Sequence, residues 1–155
     1  MPHSFEICQI LLACLCGFSI GFERQIHGAS AGVRTYTLVC LGSCLFGIVS
    51  THANGAAYYQ SIADPTRIAA QIVSGVGFLG AGIIFKDNNK VHGLTTAANI
   101  WVCASIGLSV AFEMVLIPLA TTAIVILILS LNRLKWFKSL ENYFSKDVTK
   151  DSHSE

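Results

Sequence analysis

Ser74-Gly75-Val76-Gly77-Phe78-Leu79-Gly80-Ala81-Gly82 is the stretch on which the fold turns. Its letters from Gly75 to Gly80 spell G-x-G-x-x-G, the pattern of a dinucleotide-binding loop. That loop needs a strand before it, a soluble helix after it and an acid about 20 residues on. Here an apolar run from Arg67 to Phe85 surrounds the motif. The downstream region reads Thr95-Thr96-Ala97-Ala98-Asn99-Ile100, without an acid. Nucleotide binding is rejected. In an apolar helix the same small residues let backbones approach closely. Gly75 and Gly82 lie two turns apart on one face, and Gly77 and Ala81 form a small-x-x-x-small pair beside Gly80. Gly17 with Gly21, and Ser43 with Gly47, repeat that spacing elsewhere. The expectation is close helix packing, or a seam between two copies. The alternative is a span broken at its glycines, with unwound carbonyls free to coordinate an ion.

Outward from this stretch the chain reads as a membrane protein. It has 155 residues, 53% hydrophobic and 12% charged, with a mean hydropathy of +0.60. Soluble domains run about 25% charged. So few charges disfavour a disordered chain, a nucleic-acid binder and a secreted disulfide scaffold. Five apolar runs stand out: Phe5–Phe22, Thr35–His52, Arg67–Phe85, Thr95–Phe112 and Met114–Leu131. Each approaches the roughly 20 residues a helix needs to cross the hydrocarbon core. Backbone in lipid must satisfy its own hydrogen bonds, and strand alternation is absent, so the runs are read as helices. The fold class expected is all-α: a polytopic bundle of five transmembrane helices over residues 1–131, followed by a short amphipathic and polar tail over 132–155. Pro118 falls early in the fifth run, where it costs least. In the tail, Arg133, Lys135 and Lys138 alternate with Trp136 and Phe137, which suits a helix lying among headgroups.

The cations set an orientation. Arg24, Arg34, Lys86, Lys90, Arg133, Lys135, Lys138, Lys146 and Lys150 follow runs one, three and five, whereas Arg67 alone lies on the other side. The positive-inside rule then places the N-terminus outside and the C-terminus in the cytoplasm. Run one is not read as a cleaved signal, because no Lys or Arg precedes it. All six cysteines sit in apolar runs and read as small core residues. Cys40 and Cys44 share a helix face that could hold a soft metal, with no third ligand near in sequence.

Ionisable groups in or beside membrane spans are functional candidates by default. Glu23 and Arg24 end run one, Arg34 opens run two, and Asp64 and Arg67 flank the start of run three. Asp64, before Pro65, also suits a helix N-cap. Gln71 and Ser74 share one helix face, as do Thr95 and Asn99. Such side chains hydrogen-bond between helices. Carboxylates, amide carbonyls and waters also satisfy Mg2+. Glu23 and Asp64 are therefore the candidate metal ligands, with Gln71, Thr95 and Asn99 as candidate cation-binding partners. Arg24, Arg34 and Arg67 are read as charges that pair. The topology places Glu23 and Asp64 near opposite faces. No histidine pair has ligand spacing, and no nucleophile–base set emerges, so no enzyme is expected.

Gly21-Phe22-Glu23-Arg24-Gln25 and Ala31-Gly32-Val33-Arg34-Thr35 resemble the start of the MgtC/SapB family of bacterial inner-membrane proteins. The stretch from Asp64 to Gly82 resembles that family's central signature, and Gly93-Leu94-Thr95-Thr96-Ala97-Ala98-Asn99-Ile100-Trp101 its next one. The resemblance covers most of residues 10–130. It implies a cytoplasmic-membrane protein tied to growth at low Mg2+ and, in pathogens, to virulence through survival inside macrophages. It also implies a link to Mg2+ handling and to restraint of the proton-translocating ATP synthase. Family motif residues fall on Glu23, Arg24, Arg34, Asp64, Arg67, Gln71, Thr95, Thr96 and Asn99. Well-known members continue into a soluble domain, whereas about 24 residues follow run five here, so the expectation is the membrane core alone. The reading is a homodimer or small homo-oligomer in lipid, with Mg2+ as the one cofactor in view. The alternative is a non-transporting regulator that binds another membrane machine such as the F-type ATP synthase.

Overall fold

Each apolar run winds into a helix. The computed structural model describes residues 4–52, 66–88 and 90–131. The elements are α1 (Ser4–Ile26), α2 (Val33–His52), α3 (Thr66–Ile83), β1 (Phe85–Asp87), β2 (Lys90–His92), α4 (Leu94–Ala111) and α5 (Leu116–Leu131). α1, α2 and α4 are long and apolar enough to cross a membrane, and α3 and α5 are shorter apolar helices. At 1.5 Å per residue the 23 residues of α1 reach roughly 34 Å, against about 30 Å of hydrocarbon.

α1 runs one turn past the expected end at Phe22, so Glu23 and Arg24 lie on the helix and not beyond it. A cation in the last turn complements the helix dipole. The helix stops at Gly28, whose φ of +66° is left-handed. The amides of Gly28 and Ala29 bond back to the carbonyls of Gln25 and Arg24 at 3.2 and 3.1 Å, which satisfies two terminal acceptors.

One element departs from an all-α chain. Phe85–Asp87 and Lys90–His92 pair antiparallel, with Phe85 opposite His92, Lys86 opposite Val91 and Asp87 opposite Lys90. The turn uses Asn88 at φ 43°, a conformation that asparagine tolerates. Three-residue strands carry too little alternation to stand out in a sequence.

The core is made where α1, α2 and α4 meet. Tyr36, Ile20, Ile100, Ile106, Val110, Cys40 and Cys103 are fully enclosed there. Small residues permit the approach. A β-carbon on Gly17 would stand 2.7 Å from the Tyr36 carbonyl oxygen, and one on Gly47 would overlap Ala111. One on Gly107 would strike the backbone of Cys40. Cys16, Cys40, Cys44 and Cys103 are buried free thiols, Cys14 is half-buried and Cys8 is exposed. Gln9 Nε2 donates to the Val110 and Ala111 carbonyls at 2.8 and 3.2 Å, adding to the Glu113 amide on Val110 and serving Ala111 at the end of α4. α5 joins this core through Val125 and Leu129. Pro118 sits in its first turn, where the missing N–H costs no helical bond, and its carbonyl accepts from Thr122 Oγ1 at 2.7 Å.

α3 differs from the expectation in two respects. It passes through its glycines as an unbroken helix. And a β-carbon at Gly75, Gly77 or Gly82 would meet nothing within 4 Å, while one at Gly80 would meet Ala97 at 3.5 Å. The close packing expected at Gly75, Gly77 and Gly82 is therefore not made among the described residues of this chain. The intrachain crossings fall at Gly17, Gly21, Gly47 and Gly107 instead. α3 leans on α4 by one edge and contributes Val76 to the core, with Ile72 and Ile83 packed against it. Elsewhere the outward surface is apolar, with Phe78 and Leu116 each 81% exposed. Water does not tolerate apolar surface on this scale in a monomer.

Candidate functional site

The last turn of α1, the first turn of α2 and the first turns of α4 converge on one polar cluster. Glu23 is buried, 8% exposed, on the inward face of α1. His27, one turn on, places Nδ1 3.3 Å from Glu23 Oε1. Arg24 brings a terminal guanidinium nitrogen to 3.8 Å from Glu23 Oε2. That is longer than the 2.7–2.9 Å of a charge-assisted hydrogen bond, so the pair is a loose one.

Gln25 Oε1 accepts from the Val33 amide at 3.2 Å and so serves the start of α2. This fixes the first turn of α2 and sends Tyr36 inward. The Tyr36 hydroxyl donates to the Thr96 carbonyl at 3.5 Å, and Ser30 Oγ donates to Thr96 Oγ1 at 3.4 Å. Asn99, one turn further along α4, is 9% exposed. Arg24 Nε, Thr37 Oγ1 and Asn99 Nδ2 are enclosed without a hydrogen-bond partner among the described residues. A buried polar group left unpaired costs about 1–3 kcal/mol of desolvation.

Two recesses flank this cluster, one on each side of the ion pair. A polar mouth of about 500 Å³ is lined by Arg24, Ser30, His92, Thr95 and Thr96, with Phe85 and Val91 of the hairpin over it. A cleft of about 430 Å³ between α1 and α5 is lined by Glu23, His27, Ser19 and Ser130 among Phe18, Phe22, Ile26 and Ile126. Arg24 thus faces the mouth, and Glu23 faces the cleft.

Of the residues singled out in the sequence, Glu23, Arg24, Thr96 and Asn99 come together, and Thr95 opens on the mouth. Gln71 does not join them. It lies in a separate apolar groove of about 460 Å³ between α2 and α3, beside Leu38, Phe46 and Gly75. Arg34 and Arg67 are exposed, near the starts of α2 and α3. Asp64 and the tail lie outside the described residues. Among the described residues no group of three His, Cys, Asp or Glu is placed to hold a metal ion. Three contributors were not foreseen: His27, Tyr36 and Ser30. The i, i+4 spacing of Glu23 and His27 on one helix was a usable signal. Nothing local marks Tyr36 or Ser30, whose partners are 60 and 66 residues away.

Comparison with known proteins matches residues 10–137 to the model of the MgtC family. The chain is 41% identical to YhiD of Escherichia coli K12, provisionally named a magnesium transporter, over 96% of this chain and 70% of that protein. It is 52% identical to MgtC of Brucella abortus over 61% of this chain and 37% of that protein. It is 42% identical to SapB of Bacillus subtilis over 66% of this chain and 46% of that protein. No solved structure matches.

Proposed function

The chain belongs to the MgtC/SapB family and is a membrane protein, and from that premise we propose that it serves Mg2+ homeostasis in the bacterial cytoplasmic membrane. Its five apolar helices would cross the bilayer with the N-terminus outside and the C-terminus in the cytoplasm. The one-sided distribution of Lys and Arg supports this orientation. It puts Glu23, Arg24 and the polar mouth at the cytoplasmic surface. The observation that carries the reading is a nine-tenths buried carboxylate at the end of three apolar helices. An acid in that setting is expensive, and its retention points to ion handling.

The chemistry would be an exchange of counter-ions. Glu23 is loosely paired with Arg24 at rest. A Mg2+ ion that keeps part of its water shell would approach through the mouth. Its waters would donate to the hydroxyl oxygens of Ser30, Thr95 and Thr96. It would then replace the guanidinium as the partner of Glu23. Asn99 would offer an amide oxygen, and Asp64 would be the second acid, at the other face. Gln71, in its apolar groove, has no part in this exchange.

Purified protein in liposomes tests it. Mg2+ flux or saturable Mg2+ binding that is lost in Glu23→Gln and weakened in Asp64→Asn is the expected result. Neither flux nor binding in the wild type would overturn it. A second reading is favoured by α3, whose face of Ser74, Gly75, Phe78 and Gly82 is exposed. In that reading the chain is a regulator, and α3 docks onto a second copy or onto another membrane protein such as the ATP synthase. Recovery of a stable complex from native membranes, without intrinsic flux, would favour it.

A further inference from the structure

We propose that the cleft between α1 and α5 binds lipophilic organic cations, an ammonium head on an apolar body, which reach Glu23 from the flank of the bundle. This inference rests on the cleft's own lining and not on the Mg2+ reading. The lining has two parts. Phe18, Phe22, Ile26 and Ile126 form an apolar wall, and among the described residues Glu23 carries its carboxylate. Ser19 donates to the Leu15 carbonyl at 2.8 Å and keeps its own lone pairs. With Ser130 and with Glu23, whose Oε1 also meets His27 at 3.3 Å, it supplies the oxygens a ligand would meet.

A hard metal ion is poorly served by such a site. Mg2+ keeps several waters that need polar partners, and the cleft sets its few acceptor side chains among hydrocarbon. An organic cation is well served. Its charge pairs with the carboxylate, which can accept from several donors at once. Its hydrocarbon body removes the apolar wall from contact with water or lipid. Phe18 and Phe22 stack with centroids 5.9 Å apart and nearly parallel planes. Both rings are about half exposed, so their faces are available for a cation–π contact. His27 and Arg24 approach Glu23 along α1 itself, while the cleft reaches the same residue from the side of α5. Small-molecule sites commonly have this composition, an apolar lining with a few placed polar groups.

The test uses the full chain in neutral maltoside micelles with octylammonium as the probe and octanol as its uncharged counterpart. Saturable octylammonium binding by equilibrium dialysis is expected, with octanol at least about tenfold weaker, as loss of one charged hydrogen bond implies. Glu23→Gln should abolish the preference. Ser130→Trp should also abolish it, by filling the cleft while leaving Glu23, Arg24 and His27 in place. Helicity and monodisperse elution check both variants, and Ser130→Trp decides the matter if Glu23→Gln fails to fold. Added phosphatidylethanolamine separates the sources. Competition assigns the site to a lipid headgroup, and its absence assigns the site to free cations. Equal binding of octanol, or unchanged octylammonium binding in Ser130→Trp, would overturn the proposal. Mg2+ flux measured on Ser130→Trp keeps the two readings apart, because the mouth does not include Ser130.

Discussion

Replacing Gly107 with alanine tests the packing of the core most directly. The new β-carbon would lie 2.8 Å from the Cys40 carbonyl carbon and 3.1 Å from its Cα, and nearer still to its oxygen. All three are backbone atoms of α2, so no side chain can swing away. The two helices must part by roughly an ångström, and a gap of that size forfeits a quarter to a half of each dispersion contact along the crossing. Overpacking of this kind costs about 1–3 kcal/mol. Alanine returns about 1 kcal/mol of helix propensity over glycine. The net expectation is a loss of up to about 2 kcal/mol. Gly75→Ala is the internal control. It carries the same propensity gain and meets nothing within 4 Å, so it should stabilise by about 0.5–1 kcal/mol. Reversible unfolding in mixed micelles, titrated with a denaturing detergent, reads both. A Gly107→Ala protein as stable as Gly75→Ala would refute the α2–α4 crossing.

Three further outcomes are expected. Gln9→Leu should cost about 1 kcal/mol in the same titration, because it removes the side-chain donor from the Ala111 carbonyl while Val110 keeps the Glu113 amide, whereas Ser19→Ala, on an exposed local bond, should be close to neutral. Tyr36→Phe should lose about 1 kcal/mol with unchanged helicity by circular dichroism, since the hydroxyl's bond to the Thr96 carbonyl is removed. N-ethylmaleimide should label Cys8 in the folded protein and leave Cys16, Cys40, Cys44 and Cys103 unmodified until unfolding, as read by peptide mass.

The helices were legible because apolar runs of this length have little else to become. Glu23, Arg24, Thr96 and Asn99 were legible because polar groups are conspicuous against such a background. The partnership of faces was not. A surface helix declares its buried side by contrast with a polar one. In α3 the side toward α4, with Val76 and Gly80, and the bare side, with Gly75 and Phe78, are both apolar or small. Nothing in the sequence says which glycines meet a neighbour. Gly107, which has only Ala111 at that spacing, makes one of the tightest crossings. Gly75 and Gly82 have the spacing and touch nothing. Tyr36 and Ser30 were hidden for another reason. Their roles are defined by the carbonyl and hydroxyl of Thr96, and a contact across 60 residues leaves no local trace. The hairpin escaped because its strands are three residues long.

α1 is pinned at both ends. Gln9 hooks it to the last turn of α4, and Gln25 accepts from the Val33 amide at the start of α2. Two anchors 16 residues apart, roughly 24 Å along the axis, forbid α1 to slide or rotate without releasing one of them. α1, α2 and α4 therefore form a chassis. α3 has one edge on that chassis and is joined to α4 by the hairpin that roofs the polar mouth. A swing of α3 leaves both anchors intact and lifts or lowers that roof. Among the described elements, such a displacement of α3 would be felt at the mouth beside Arg24.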